Sequence, residues 1–248
     1  WERGRGEGQR EGASMPKKRR RGTPRQPPVQ VAPREGGGLA LLVGGVTQSI
    51  TLPASDDTAN AENDQRGDYW GLMLPPGCPH DALLLGLGGG TVATLLSRRC
   101  PTARMVGVER DAAVLALARD LFGLDRLPQL RVVEADAFEW VAARFGADGA
   151  LSADAARYEL ICVDLFEAGR LTNGVLATAF LRRIAALLAP GGVASFNLMV
   201  TGRTPEQLHR LRRVFSIERE LRLRGNLVVH LTPLPREQWT TETRPAIM

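Results

Sequence analysis

The residues best suited to chemistry in this chain are one glycine run and the carboxylates that follow it. Gly86-Leu87-Gly88-Gly89-Gly90-Thr91 ends an apolar stretch, and Glu109 ends the next one, 23 residues after Gly86. Glycine adopts positive φ and carries no Cβ, so such a turn lets the backbone approach a ligand closely. A carboxylate at the tip of the second strand can accept hydrogen bonds from both hydroxyls of a ribose. Asp136 follows the third apolar stretch and Asp164 ends the fourth. Ligands of open α/β sheets sit at the carboxyl ends of the strands, so these groups converge on one crevice suited to a nucleoside. Asp136 has two compatible readings, as a partner for an adenine amino group and as the N-cap of a helix beginning at Ala137. Asp164 stands nearest the reacting group, where a carboxylate attracts a cation or orients a proton. Asp111 reads as a helix cap and Glu134 as a solvated acid. The dinucleotide fingerprint asks for Gly or Ala where this chain has Thr91, which sets a nicotinamide oxidoreductase aside.

The elements that must position these groups alternate regularly. Ala82–Leu87, Met105–Val108, Leu130–Val133, Glu159–Val163 and Gly192–Leu198 read as strands. Thr91–Arg99, Ala112–Leu121, Ala137–Phe145, Ala177–Leu188 and Pro205–Phe215 read as helices. Continuous apolar strands separated by helices of this length predict a doubly wound, mostly parallel α/β sheet. Ile217–Leu223 and Leu227–Leu231 predict an antiparallel edge. Leu39–Val43 and Val46–Leu52 flank Gly44-Gly45 and predict a small N-terminal β-hairpin. Residues 53–67 read as a loop, and Tyr69–Leu74 as a short helix or strand.

The organisation expected is a disordered basic tail over 1–36, a hairpin and connector over 37–76, a Rossmann-like nucleoside-binding catalytic domain over 77–235, and an extension over 236–248. The chain's net charge is +5, yet residues 1–36 carry +6 and the remainder −1. The basic character therefore belongs to the tail, and nucleic-acid binding by the folded body is not expected. Lys17–Arg21 is a basic run of the kind found in nuclear addresses, set against a solvated tail and a cytoplasmic location. No apolar run approaches the roughly 20 residues of a membrane span. Cys78, Cys100 and Cys162 have neither zinc nor disulfide spacing and read as isolated thiols of a reducing compartment. His80, His209 and His230 pair with no second ligand type, so no metal site is expected.

These features resemble the class I methyltransferase fold and, within it, the spermidine-synthase-like family of S-adenosylmethionine-dependent transferases, over residues 39–231. Leu83–Thr91 is similar to the family's first motif, and Leu188-Ala189-Pro190-Gly191-Gly192-Val193 to the turn before its fifth strand. Gly45-Val46-Thr47-Gln48 resembles the Gly-Val-x-Gln of its hairpin, where the Gln contacts the nucleoside. Tyr69 with Met73-Leu74 resembles its Tyr-x-x-Met-Leu with one residue inserted. Gly86–Thr91, Leu121-Phe122-Gly123 and Phe196-Asn197-Leu198 are also similar to the spermidine-synthase-like domain of elongation-factor methyltransferases. The resemblance implies a cofactor side of Gln48, Gly86, Leu87, Gly88, Gly90, Thr91, Glu109, Arg110, Asp136, Ala137 and Asp164. It implies a catalytic group of Asp164, Glu167 and Tyr69, and a homodimer formed through the N-terminal region.

The departures bear on which group is transferred. Aminopropyltransferases carry Asp after the triple glycine, to hold the aminopropyl ammonium, and Thr91 cannot supply that charge. Their Asp-Ser-x-Asp-Pro reads Asp164-Leu165-Phe166-Glu167 here, and the acid after the hairpin-region Tyr is missing near Trp70-Gly71. A polycation loses hydration on binding and needs several carboxylates around it. The expected function is methyl transfer from S-adenosylmethionine to a protein or small-molecule acceptor. The alternatives are aminopropyl transfer from decarboxylated S-adenosylmethionine and a catalytically silent binding module on the same fold.

Overall fold

A computed structural model describes residues 27–35, 37–52, 69–167 and 169–239. The Lys17–Arg21 run and the 53–67 loop lie outside the described residues. An N-terminal three-stranded antiparallel sheet is formed by β1 (Val29–Pro33), β2 (Leu39–Val43) and β3 (Val46–Ile50), in that order. The expected hairpin is β2–β3. β1 begins inside the stretch expected to be tail, because Val29, Val31 and Ala32 pair with Val43, Leu41 and Ala40 of β2. Tyr69–Met73 forms a 3-10 helix.

The main sheet has seven strands: β4 (Asp81–Leu85), β5 (Arg104–Glu109), β6 (Leu130–Glu134), β7 (Tyr158–Val163), β10 (Leu188–Met199), β11 (Phe215–Leu223) and β12 (Asn226–Pro233). Between β7 and β10, β8 (Phe166–Glu167) and β9 (Arg170–Leu171) pair as a separate two-stranded ribbon. The spatial order is β11-β12-β10-β7-β4-β5-β6. β10, β7, β4, β5 and β6 run parallel, while β12 is antiparallel to both its neighbours. The order reverses between β4 and β7, which opens the crevice where such sheets bind ligands. β10 begins earlier than expected. Leu188 already pairs with Tyr158, and the ladder resumes at Val193 after a register shift, so the Pro190-Gly191-Gly192 segment is an irregularity within the strand.

The helices are α1 (Thr91–Arg99), α2 (Ala112–Phe122), α3 (Ala137–Ala142), α4 (Thr178–Leu187) and α5 (Thr204–Leu211). Asp111 caps α2 by accepting from the N–H groups of Ala113 and Val114, and Asp136 caps α3 by accepting from those of Phe138 and Glu139. α5 stops at Leu211, four residues before the predicted end at Phe215, which already belongs to β11. Apolar side chains cover both faces of the sheet. Leu83, Leu85 and Ile161 pack with α3 and α4 on one side; Leu84, Leu160 and Cys162 pack with α1 and α2 on the other.

The expectation of isolated thiols is corrected. Cys78 and Cys100 form a disulfide 22 residues apart, and only Cys162 is free. The pairing is made by topology. α1 runs back along β4, so its closing residue Cys100 returns to the connector that holds Cys78. The cysteines therefore offer no basis for a reducing compartment. Among the described residues, no helix is long and apolar enough to cross a membrane.

Candidate active site

The glycine turn is shaped by what surrounds it. Gly86 has φ 85°, and a Cβ there would collide with the Asp164 carbonyl oxygen, so no other residue fits. The N–H groups of Gly86 and Leu87 both donate to the Val108 carbonyl, at 3.0 and 3.1 Å. A cavity of about 370 Å³ opens above this turn. Its wall brings together Gln48, Gly86, Leu87, Gly88, Thr91, Glu109, Arg110, Asp136, Ala137, Asp164 and Glu167 from the sequence-derived set. Two predicted residues lie outside that wall. Gly90 is not among its lining residues; a Cβ there would collide with the Leu124 side chain. Tyr69 is represented in the wall by its neighbour Trp70 and reaches the site through Asp164.

Glu109 is held by three backbone groups. One carboxylate oxygen accepts from Gly88 N–H at 2.9 Å, and the other from the N–H groups of Arg110 (2.9 Å) and Asp111 (3.1 Å). A carboxylate oriented in this way retains acceptor capacity for hydroxyl donors. Asp136 spends Oδ1 on the α3 cap, at 2.8 Å to Phe138 N and 3.2 Å to Glu139 N, so Oδ2 is left for a ligand. Both readings made of Asp136 are therefore compatible.

Asp164 sits deepest. Tyr69 donates its hydroxyl to Oδ2 at 2.8 Å, and Asn197 donates its amide to Oδ1 at 2.9 Å. Burial pushes the Asp164 carboxyl above its ordinary value, and the two donors pull the other way without cancelling that shift. Burial, reinforced by the Asp164 charge, raises the Tyr69 phenol well above its own ordinary range, so Tyr69 is a hydrogen-bond donor at neutral pH. Asn197 lies in the buried middle of β10, and the sequence marks it only as part of a resemblance. No spacing rule predicts that residue 197 meets residue 164.

The N-terminal sheet closes one side of the cavity. Ser49 Oγ accepts from Gly89 N–H at 2.7 Å and donates to the Gln48 carbonyl at 2.7 Å. Thr91 Oγ1 accepts from Ile50 N–H at 2.9 Å and donates to the Ile50 carbonyl at 3.1 Å. Thr91 thus borders the cavity but commits its hydroxyl to the sheet. At the mouth, Arg110 and Glu167 form an exposed ion pair at 3.2 Å. Five carboxylates (Glu109, Asp111, Asp136, Asp164, Glu167) and one guanidinium (Arg110) line the cavity, which favours a cationic ligand. Ser49, Trp70, Phe138 and Phe166 also line the wall, and of these Ser49 and Phe138 carry no motif by which the sequence marks them.

No family model matches the chain. It is 30% identical over 138 residues to the eEF1A lysine and N-terminal methyltransferase homolog of Drosophila melanogaster, a match covering 54% of this chain and 20% of that protein. It is 29% identical over 174 residues to the polyamine aminopropyltransferase of Vibrio vulnificus, covering 68% of this chain and 56% of that one. The chain thus spans a fifth and just over half of the lengths of these relatives. Among solved structures, a probable spermidine synthase from Corynebacterium glutamicum shares the fold at a TM-score of 0.59, with 19% identity, over 82% of this chain and 76% of that one. Human methyltransferase-like protein 13 in complex with SAH shares it at 0.54, with 23% identity, over 66% and 76%. The fold is the Rossmann-like fold of class I methyltransferases and spermidine synthases. The chain is similar to methyltransferases and to polyamine aminopropyltransferases, a combination that supports a spermidine-synthase-like, S-adenosylmethionine-dependent family.

Proposed function

We propose that the chain is a methyltransferase using S-adenosylmethionine, with a protein or small amine as acceptor. The observation that carries this reading is Thr91. The residue after the glycine turn has no charge, and both hydrogen-bonding capacities of its hydroxyl are used by Ile50. An aminopropyl ammonium would find no carboxylate at that position. Glu109 would accept from the ribose hydroxyls, Asp136 Oδ2 from the adenine amino group, and the acid-lined wall would favour a sulfonium. The cofactor supplies an activated methyl group for in-line displacement. The chain's part is to align the acceptor and exclude water. Asp164, oriented by Tyr69 and Asn197, would take the proton that an amine acceptor gives up. Trp70 and Phe166 would border the acceptor, with Glu167 at the rim.

The acidic lining also suits a second reading, in which decarboxylated S-adenosylmethionine donates an aminopropyl group to a diamine. Calorimetry with both sulfonium compounds separates the two. Tighter binding of S-adenosylmethionine is expected. Preference for the decarboxylated compound, together with turnover of putrescine, would overturn the methyltransferase reading. The eEF1A methyltransferase relatives make a protein acceptor the first to assay.

A further inference from the structure

β3 is the outer strand of its sheet, so among the described residues the Ile50 backbone groups that face away from β2 have no strand to pair with. The Thr91 hydroxyl takes that strand's place, bonding both N–H and C=O of Ile50. One residue earlier, buried Ser49 links the Gly89 N–H to the Gln48 carbonyl. Gln48 is itself irregular. Leu41 pairs with Ser49 and Leu42 with Thr47, which leaves Gln48 as the extra residue of a β-bulge. Bulges beside binding sites re-aim side chains, and Gln48 borders the cavity.

Resting on the nucleoside-site reading above, we infer that Thr91 and Ser49 are positioning residues that act through Gln48. They fasten the backbone after the bulge to the glycine turn, hold Gln48 against the bound nucleoside, and make docking of the N-terminal sheet a component of ligand affinity. The clamp requires a hydroxyl at residue 91. A carboxylate there could accept from Ile50 N–H but could not donate to its carbonyl. The residue that removes a charge from the donor pocket is thus the same residue that seats the sheet.

The test is calorimetry on the full chain, first unaltered, with S-adenosylmethionine and with decarboxylated S-adenosylmethionine. Binding of neither overturns the nucleoside reading, and the inference with it. With whichever compound binds, Thr91→Val, Ser49→Ala and Gln48→Ala should each weaken affinity by about tenfold, the loss of one well-made hydrogen bond. Thr91→Ser should bind close to the unaltered chain. The double variant Gln48→Ala/Thr91→Val should lose less than the product of the single losses, because both act through one contact. Should Thr91→Val not fold, the cycle of Ser49→Ala with Gln48→Ala carries the same comparison. Multiplying losses, unchanged affinity in Thr91→Val, or failure of Thr91→Ser to restore binding would each overturn the clamp while leaving the nucleoside site standing.

Discussion

Glu109 is already oriented, since three backbone N–H groups fix its two oxygens. Replacing it with Ala should weaken nucleoside binding by roughly 1–3 kcal/mol, and calorimetry showing no loss would move the ribose elsewhere. Asp164 makes a prediction of opposite character, about protons. Its carboxyl titrates above the ordinary value in the folded chain because burial penalises the charge. The folded state therefore binds that proton more tightly than the unfolded state. The resulting stabilisation is fully present below the unfolded value and is lost as pH rises through the folded one. Urea midpoints should fall across this window in the unaltered chain, and Asp164→Asn should remove that component of the slope. Turnover should rise over the same window if Asp164 accepts the acceptor's proton, and should be low in Asp164→Asn at every pH. At this scale the sequence was legible where a residue's role is local. Gly86, Glu109 and Asp136 stand at or just after strand ends, and the alternation of apolar runs locates those ends. Asn197 and Ser49 were not legible as site residues, because their partners lie 33 and 40 positions away. Thr91 is uncharged by residue type alone, but its commitment to Ile50 depends on a strand 41 residues earlier.

α1 shows how elements report on one another. Its first residue grips the N-terminal sheet, and Cys100, directly after its last, is bonded to the connector through Cys78. Arg99 adds hydrogen bonds to the carbonyls of Leu74, Pro75 and Gly77 on that same connector. Closing a loop of this length by a disulfide restricts the unfolded chain by roughly 3 kcal/mol. Cys78→Ser, or reduction of the native chain, should lower Tm in line with that figure. Alkylation before and after reduction should reveal two additional reactive thiols once the chain is unfolded. An equal count in both states would remove the disulfide. The regular strand–helix alternation was legible because each element buries a continuous apolar run. The β8–β9 ribbon was not, since two-residue strands carry no period. β1 was hidden for another reason. Val29-Gln30-Val31-Ala32-Pro33 is embedded in a composition rich in Gly, Pro and Arg, and only pairing with β2 makes it a strand.

The cavity lies where the strand order reverses, so a ligand there would touch β3, the turn after β4, β5 and the segment after β7 together. Binding to the folded state alone should stabilise the chain by about 2.7 kcal/mol when the ligand is present at about 100 times its Kd. Thermal melts with S-adenosylmethionine should show the corresponding rise, with a smaller one for the decarboxylated compound at equal concentration. The opposite order would favour aminopropyl transfer. The overall architecture was legible because alternation fixes it, whereas the seating of the N-terminal sheet was left to tertiary contacts. That seating has a consequence for motion. With α1 fastened at both ends, its backbone amides should exchange hydrogen for deuterium only when the whole domain opens. Cutting one fastening, by reduction or by Thr91→Val, should let the corresponding end of α1 exchange early while the other end stays slow.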